Sequence, residues 1–328
     1  MKIRPTGVIP PMTTPFRKDG EIDFKQIASQ VDWLIGAGSH GMAAGGSTGE
    51  GHTLDHEEYR DLVAATVEAA KGRAPVIAGI IVDSTRDAIR RGRLVRDMNV
   101  AALQVTPVHY LFKPDEQAMV DHFRRMADET GMPIIIYNVV PWSYLSPALL
   151  TRIMNEVPLV VGVKQSAGDL KLFADLMMMA PDKLIYSAVD ALMYPSYALG
   201  AHGSIAAILS AAPQASVELW NAVEAGNHTR AGAAPKTADV VERDRLGQSA
   251  GVRALCAVAA GPAHDILPRT DAGSFAHPTG RHPEGAGRIG RVGPSDRSGG
   301  VIPPDETSLR FTRGCHLLLS CYARAPLA

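Results

Sequence analysis

Short apolar runs alternate with stretches of helical periodicity between residues 6 and 226, and this alternation constrains the fold more than any other feature of the chain. Each apolar run has the length of a strand that is buried on both faces of a parallel sheet. Eight such strand–helix units occupy roughly 220 residues, close to the size and unit number of a (β/α)8 barrel. An open, doubly wound sheet is the alternative, although it seldom contains eight regular units. We therefore predict an α/β fold, a (β/α)8 TIM barrel.

Capping side chains mark where several of the predicted helices begin. Asp23 precedes the first helix, Asp55 and Glu58 have the spacing of a capping box, and Ser84 precedes the third helix. The first helix is expected to bury an apolar face made of Phe24, Ile27, Val31, Leu34 and Ile35. The predicted strands are residues 8–9, 41–44, 75–80, 101–105, 133–138, 160–166, 184–187 and 203–206.

The regular pattern stops near residue 231. Residues 232–328 contain scattered Gly, Pro, Ser and Arg, a single lysine at Lys236, and one helical pattern over 252–260. We predict a TIM-barrel catalytic domain over residues 1–231 and an atypical C-terminal segment over 232–328, irregular and partly disordered. A reading-frame shift near residue 231, which would make this segment aberrant, is the alternative, and a basic tail that contacts RNA is a weaker one.

Charge and composition restrict the classes of partner. The net charge of −1 gives no general attraction for nucleic acid or an anionic membrane. No run of 18 apolar residues is present, so we expect no membrane span, and the N-terminal residues lack the apolar core of a signal peptide. The chain has three cysteines, Cys256, Cys315 and Cys321. A small and odd number of cysteines argues against a disulfide framework. We therefore expect a cytoplasmic protein.

The sixth predicted strand leads directly into Lys164. Burial of an ammonium group without a partner is costly, and it lowers the pKa of a lysine. The neutral amine that results is the nucleophile that forms Schiff bases with carbonyl compounds. The alternative is a structural lysine that reaches solvent or pairs with a carboxylate.

Four predicted strand ends would converge at one mouth of the barrel, because the loops after the strands form the active site in this fold. They carry the Gly-rich loop that contains Gly46, Ser47 and Thr48, together with Tyr110, Tyr137 and Lys164. A tyrosine can transfer protons during imine chemistry, and backbone amides of a Gly-rich loop can approach a carboxylate.

These motifs resemble those of the dihydrodipicolinate synthase and N-acetylneuraminate lyase family of class I, Schiff-base aldolases. The resemblance extends over roughly residues 5–231. It lies in GGSTGE at 45–50, TPVHY at 106–110, YNVVP at 137–141, GVKQSAGD at 162–169 and GAHGSI at 200–205.

The resemblance implies that Lys164 forms a Schiff base with pyruvate or another 2-oxo acid and that Tyr137 is the main acid and base. Ser47 and Thr48 would bind the carboxylate of the 2-oxo acid. Ser47 would also link Tyr137 to Tyr110, which in the family comes from a neighbouring subunit, so that a homo-oligomer, a dimer of dimers, is expected. The predicted catalytic residues are thus Lys164, Tyr137, Ser47 and Tyr110, and the predicted substrate-binding residues are Thr48, Gly46, Ser166, Asp190 and Ile205.

Two departures from the family pattern concern the second substrate. Dihydrodipicolinate-forming members carry an arginine shortly after the Tyr-Asn-Val-Pro motif, and residues 141–144 of this chain contain none. Sialic acid lyases use an Asp-Glu pair where this chain has Asp190 followed by Ala191. Trp142 and Tyr144 suggest instead an aromatic wall, as in hydratase-aldolases, although ordinary packing would explain them equally well.

Three other sequence matches suggest rival functions and are weaker than the main interpretation. Ser47 lies in a G-x-S-x-G sequence, and a serine hydrolase would need an acid and a histidine such as Asp190 and His202. The G-x-G-x-x-G sequence at 36–41 ends a helix and precedes a strand, which is the wrong order for dinucleotide binding. His52 and His56 are spaced like metal ligands, but they lie near a helix start beside carboxylates.

The sequence therefore predicts a lyase or aldolase that uses pyruvate or another 2-oxo acid, with an aldehyde-type second substrate and with no cofactor and no metal. A 2-keto-3-deoxy sugar acid dehydratase or a hydratase-aldolase, each working through the same imine, is the close alternative. A non-catalytic barrel with a damaged C-terminus is the alternative of another class.

Overall fold

The computed structural model describes residues 5–233, and these form a ring of eight parallel strands surrounded by helices. The hydrogen-bonded strand order is β1-β8-β7-β6-β5-β4-β3-β2, and a parallel bridge between Pro11 and Ala43 joins the two ends of this order. The predicted (β/α)8 TIM barrel is therefore confirmed. The strands are β1 (Gly7–Val8), β2 (Met42–Ala44), β3 (Val76–Ile80), β4 (Ala102–Val105), β5 (Ile134–Asn138), β6 (Val160–Gln165), β7 (Leu184–Ser187) and β8 (Gly203–Ser204).

The helices cover the outside of the ring and begin where their capping residues predict. Asp23 caps α1, Asp55 and Glu58 form a reciprocal capping box at α2, and Ser84 caps α3. The helices are α1 (Phe24–Gly36), α2 (His56–Ala70), α3 (Thr85–Val95), α4 (Glu116–Thr130), α5 (Pro147–Glu156), α6 (Leu170–Met179), α7 (Met193–Ala198), α8 (Ile208–Ala211), α9 (Pro213–Glu224) and α10 (His228–Ala233).

Two hydrophobic cores follow from the alternation of side chains along the strands. The larger core lies between the strands and the helices, and it contains residues such as Leu103, Val105 and Val163. The smaller core fills the inside of the ring. It consists of Ile9, Ala43, Ile77, Ala102, Ile135, Leu184, Tyr186 and Ile205.

One detail of the predicted packing is wrong. Phe24 was expected on the buried face of α1, but it is 45% exposed, whereas Ile27, Val31 and Leu34 are fully buried. Phe24 is the first residue of α1, and the buried face of this helix begins at Ile27. The predicted helix over 252–260 and almost all of the predicted C-terminal segment lie outside the described residues.

None of the helices within residues 5–233 combines the length and the apolar character needed to cross a membrane.

Candidate active site

Lys164 and Tyr137 face each other inside the barrel. They are register partners on the neighbouring strands β6 and β5, and the Lys164 Nζ atom lies 3.8 Å from the centroid of the Tyr137 ring. Both residues are buried. The amine is therefore held against an aromatic face and away from bulk water.

Burial lowers the pKa of Lys164 from 10.5 to about 7, and the negative charge of Asp190 opposes part of this shift. Burial raises the pKa of Asp190 in turn, while the backbone amide of Ile208 and the charge of Lys164 act in the opposite direction. Asp190 begins the short 3-10 helix Asp190–Leu192 after β7. The site therefore holds an amine whose neutral form is well populated near neutral pH.

The Gly-rich loop after β2 is held in a tight turn by the rest of the barrel. The Gly46 carbonyl accepts hydrogen bonds from the backbone amides of Gly49 at 3.1 Å and Gly51 at 3.0 Å. The buried Arg91 side chain donates to the Gly51 carbonyl at 2.6 Å, and the Thr14 hydroxyl donates to the Gly49 carbonyl at 2.6 Å. A fixed backbone of this kind can present amide groups to an anion without reordering.

Within this loop Gly46 is buried, Thr48 is half-buried and Ser47 is exposed. Gly46 lies directly over β3, because a Cβ atom on Gly79 would come within 2.6 Å of the Gly46 N and Cα atoms. Glycine at position 79 is thus required for the close approach of the two backbones.

The loop after β5 is bonded to the loop after β6, which follows Lys164. The Asn138 amide donates to the Gln165 side-chain carbonyl at 3.1 Å, and the Leu145 backbone amide donates to the Asn138 side chain at 2.9 Å. The Tyr144 hydroxyl donates to the Ser166 carbonyl at 3.2 Å. Tyr144 therefore ties two loops together, and this contact explains its position at least as well as a substrate wall does.

Tyr110 lies in the loop after β4 and is 66% exposed. Together with Asp83, His109, Leu111 and Trp142 it lines a cavity of about 500 Å³. The Trp142 indole nitrogen donates to the His109 carbonyl at 2.7 Å, and His109 Nε2 lies 3.0 Å from Asp83 Oδ1. This cavity is more apolar than polar in its lining, and three neighbouring loops build it.

The remaining predicted substrate-binding residues, Ser166 and Ile205, are both buried at the carboxyl ends of β6 and β8. Ser166 Oγ has no hydrogen-bond partner among the residues that the structure describes. Ile205 belongs to the inner core.

The serine hydrolase interpretation fails on position. Ser47 follows β2 and Asp190 follows β7, but His202 precedes β8, and its Nδ1 atom accepts a hydrogen bond from the Ile185 backbone amide near the amino end of β7. A hydrolase triad is therefore not assembled. His56 pairs with Asp87 at 2.7 Å, and residues 5–233 contain no cluster of His, Cys, Asp or Glu suited to a metal ion.

Gln104 and Thr106 were missed by the sequence analysis. They belong to the fourth strand and its end, and their side-chain polar atoms are buried without a hydrogen-bond partner in the described part of the chain. The signal was present, because Gln104 is the one polar residue within an otherwise apolar run at 101–105.

The comparisons with known proteins identify the family of this chain. The chain matches the dihydrodipicolinate synthetase family over residues 4–252. It is 36% identical over 229 residues to the 4-hydroxy-tetrahydrodipicolinate synthase of Maridesulfovibrio salexigens, an alignment that covers 69% of this chain and 77% of the relative.

Two solved structures are also similar to this chain. The dihydrodipicolinate synthase of Acinetobacter baumannii, complexed with pyruvate, is 28% identical with a TM-score of 0.69, over 75% of this chain and 85% of that one. The N-acetylneuraminate lyase of Fusobacterium nucleatum shares the fold, with a TM-score of 0.72 at 22% identity, over 80% of this chain and 92% of that one. By sequence and by fold, the chain belongs to the dihydrodipicolinate synthetase family.

Proposed function

We propose that this protein is a class I lyase that makes or breaks a carbon–carbon bond of pyruvate or another 2-oxo acid through a Schiff base on Lys164. The observation that carries the proposal is the buried Lys164 amine, with a pKa of about 7, packed against Tyr137. Family membership and the pyruvate-bound relative favour this activity over a non-catalytic barrel.

In the proposed reaction the neutral Lys164 amine attacks the carbonyl carbon of the 2-oxo acid, and one proton passes from its nitrogen to the former carbonyl oxygen, which gives the carbinolamine. The Tyr137 hydroxyl then protonates the carbinolamine hydroxyl, which leaves as water, so that a protonated imine and a Tyr137 phenolate remain. The phenolate takes a proton from the neighbouring carbon, and the resulting enamine carbon adds to the carbonyl carbon of an aldehyde, whose oxygen takes the proton back from Tyr137. Cleavage is the reverse of these steps, and the imine nitrogen serves as the electron sink.

We assign binding of the 2-oxo acid carboxylate to the loop of Gly46, Ser47 and Thr48. The braced backbone of this loop supports the assignment, since fixed amide groups bind an anion at little cost in reorganisation. Asp190, Ser166 and Ile205 are assigned to the same substrate site. Asp190 also has an electrostatic role, because its negative charge raises the pKa of Lys164.

We also propose a cytoplasmic homo-oligomer, a dimer of dimers in which Tyr110 acts at a neighbouring subunit. The exposure of Tyr110, Leu111 and Phe112, at 66%, 69% and 78%, supports a subunit contact at this loop. The sparse cysteines fit a reducing compartment.

The second substrate is proposed to be an aldehyde with an apolar or aromatic group, taken by a lyase or by a hydratase-aldolase. The cavity beside Trp142 favours such a group, since the indole is 63% exposed there and residues 141–144 offer no arginine for a carboxylate. A panel of aldehydes assayed with pyruvate would rank aromatic members first.

Borohydride trapping tests the proposed chemistry. Reduction of the full-length protein with pyruvate should leave a pyruvate-derived adduct that peptide mass spectrometry places on Lys164. The variant Lys164→Ala should carry no adduct. Lys171→Ala, which removes an exposed lysine that pairs with Asp175, is the matched control and should be labelled like the wild type. A folded wild-type protein that remains unlabelled would favour the non-catalytic barrel.

A further inference from the structure

Gln104 places an amide group inside the apolar centre of the barrel. Side chains alternate between the two faces of a strand. On β4, Ala102 belongs to the inner core, whereas Leu103 and Val105 belong to the outer one, so Gln104 points inward. Gln104 is 0% exposed, and neither its nitrogen nor its oxygen has a hydrogen-bond partner within residues 5–233. An unpartnered buried amide is costly and calls for a functional explanation.

The amide nitrogen faces the space beside Gly46. Gln104 pairs in register with Gly79, and the Gly79 backbone supports Gly46 from below. A Cβ atom built on Gly46 would meet a single atom within 4 Å, the Gln104 Nε2 atom at 3.6 Å. No side chain at position 46 therefore separates the Gln104 nitrogen donor from the loop.

Gly46 belongs to the loop to which the proposed function assigns the substrate carboxylate. A carboxylate oxygen seated beside Gly46 would accept a hydrogen bond from Gln104 Nε2 as well as from the loop. Hydrogen bonds to a charged acceptor in a buried site are stronger than those between neutral groups.

We propose that Gln104 is an additional substrate-binding residue, whose side-chain amide donates a hydrogen bond to the carboxylate of the 2-oxo acid at Gly46. This inference rests on the proposed function, since it names a further contact in that site. It explains a polar residue in an apolar layer, and it gives the site a donor that distinguishes a 2-oxo acid from a simple ketone.

The test compares pyruvate with acetone, a ketone without a carboxylate, in borohydride trapping on Lys164. In Gln104→Leu the half-saturating pyruvate concentration should rise about tenfold. Labelling by acetone should stay within about twofold of the wild type, because acetone makes no carboxylate contact. A purely structural effect would move both carbonyl compounds together and would overturn the proposal.

Two further variants complete the design. Gln104→Met keeps a similar length and shape but has no hydrogen-bond donor, so pyruvate labelling should again fall relative to acetone labelling. Thr151→Val removes another unpartnered buried polar atom, on α5, and should leave both half-saturating concentrations unchanged. If Gln104→Leu does not fold, Gln104→Met, whose unbranched side chain is closer in shape to glutamine, still decides the question.

The outcomes separate the two proposals. If the wild type is labelled by pyruvate and Gln104→Leu responds to pyruvate in the same way, Gln104 does not bind substrate and the proposed function stands. If the wild type is labelled by neither compound, the proposed function fails and the role of Gln104 fails with it.

Discussion

The Lys164 amine packs on the face of the Tyr137 ring because the two residues are register partners on adjacent strands. The sheet itself therefore sets their separation, and neither side chain depends on a mobile loop for its position. If these two residues are the proposed catalytic pair, their fixed separation means that the site needs little reorganisation before reaction.

The rate of imine formation should follow the neutral fraction of Lys164. Burial lowers the pKa of this lysine to about 7, so the trapping rate with pyruvate should fall about tenfold for each pH unit below 7 and level off above it. The measurement is the initial rate of adduct formation between pH 5.5 and 9. The charge of Asp190 raises the pKa of Lys164, so Asp190→Asn should move the inflection to lower pH. An inflection that stays in place would show that Asp190 does not act on the amine.

Replacement of Lys164 by methionine should stabilise the protein at pH 7. The folded-state pKa of about 7 lies below the ordinary value of 10.5, so between these pH values the unfolded chain binds a proton that the folded chain rejects. Stability attributable to this group therefore rises with pH across that window. In urea unfolding, Lys164→Met should gain about 1–4 kcal/mol at pH 7, and the gain should shrink as the pH approaches 10.

Lys183 provides the matched control for that experiment. Its ammonium group is half-buried and donates to the carbonyl groups of Met154 at 2.7 Å and Val160 at 3.2 Å. Lys183→Met should therefore lower the free energy of unfolding, because two carbonyl groups lose a donor. A gain in both variants would point to a general effect of removing positive charge.

Tyr137→Phe should separate binding from turnover. The ring that contacts Lys164 remains, whereas the hydroxyl group assigned to proton transfer is lost. Turnover should fall by about 100-fold or more, and the half-saturating pyruvate concentration should change by less than about threefold. Steady-state kinetics with a responsive aldehyde, together with trapping, gives both values. Equal losses in the two would contradict the acid–base assignment.

Mixed oligomers should reveal whether Tyr110 acts across a subunit boundary. Lys164→Ala and Tyr110→Phe are each expected to have low activity alone. Co-expressed, they should recover about a quarter of the wild-type sites, since random pairing makes half of the dimers mixed and each mixed dimer contains one intact site. Light scattering would report the assembly. Activity that does not exceed the sum of the two parents would place Tyr110 within its own subunit.

Local signals in the sequence were sufficient for most of the fold. The capping box of Asp55 and Glu58 fixed the start of α2, because its hydrogen bonds involve only residues four or fewer positions apart. The strand that carries Lys164 was equally clear from its apolar run. By contrast, Met42–Ala44 has weak strand propensity and forms β2 because neighbouring strands supply its hydrogen bonds.

The polar details of the candidate site needed three-dimensional information. Gln104 could be read as a polar residue in a strand, but its lack of a partner depends on residues 25 or more positions away along the chain, such as Gly79 and Gly46. The bonds from Trp142 to His109 and from Tyr144 to Ser166 likewise join separate loops. Contacts between residues this far apart along the chain produce no periodic pattern in a single sequence.

The backbone contact between Gly46 and Gly79 has a consequence for engineering new substrate ranges. Neither residue has a side chain that a substitution could shorten. A methyl group added at Gly79 would collide with the backbone of Gly46. Enlarged or reshaped substrates of the proposed reaction would have to be accommodated beside the neighbouring strands, where Trp142 and the residues after β4 present side chains that can be exchanged without moving the barrel.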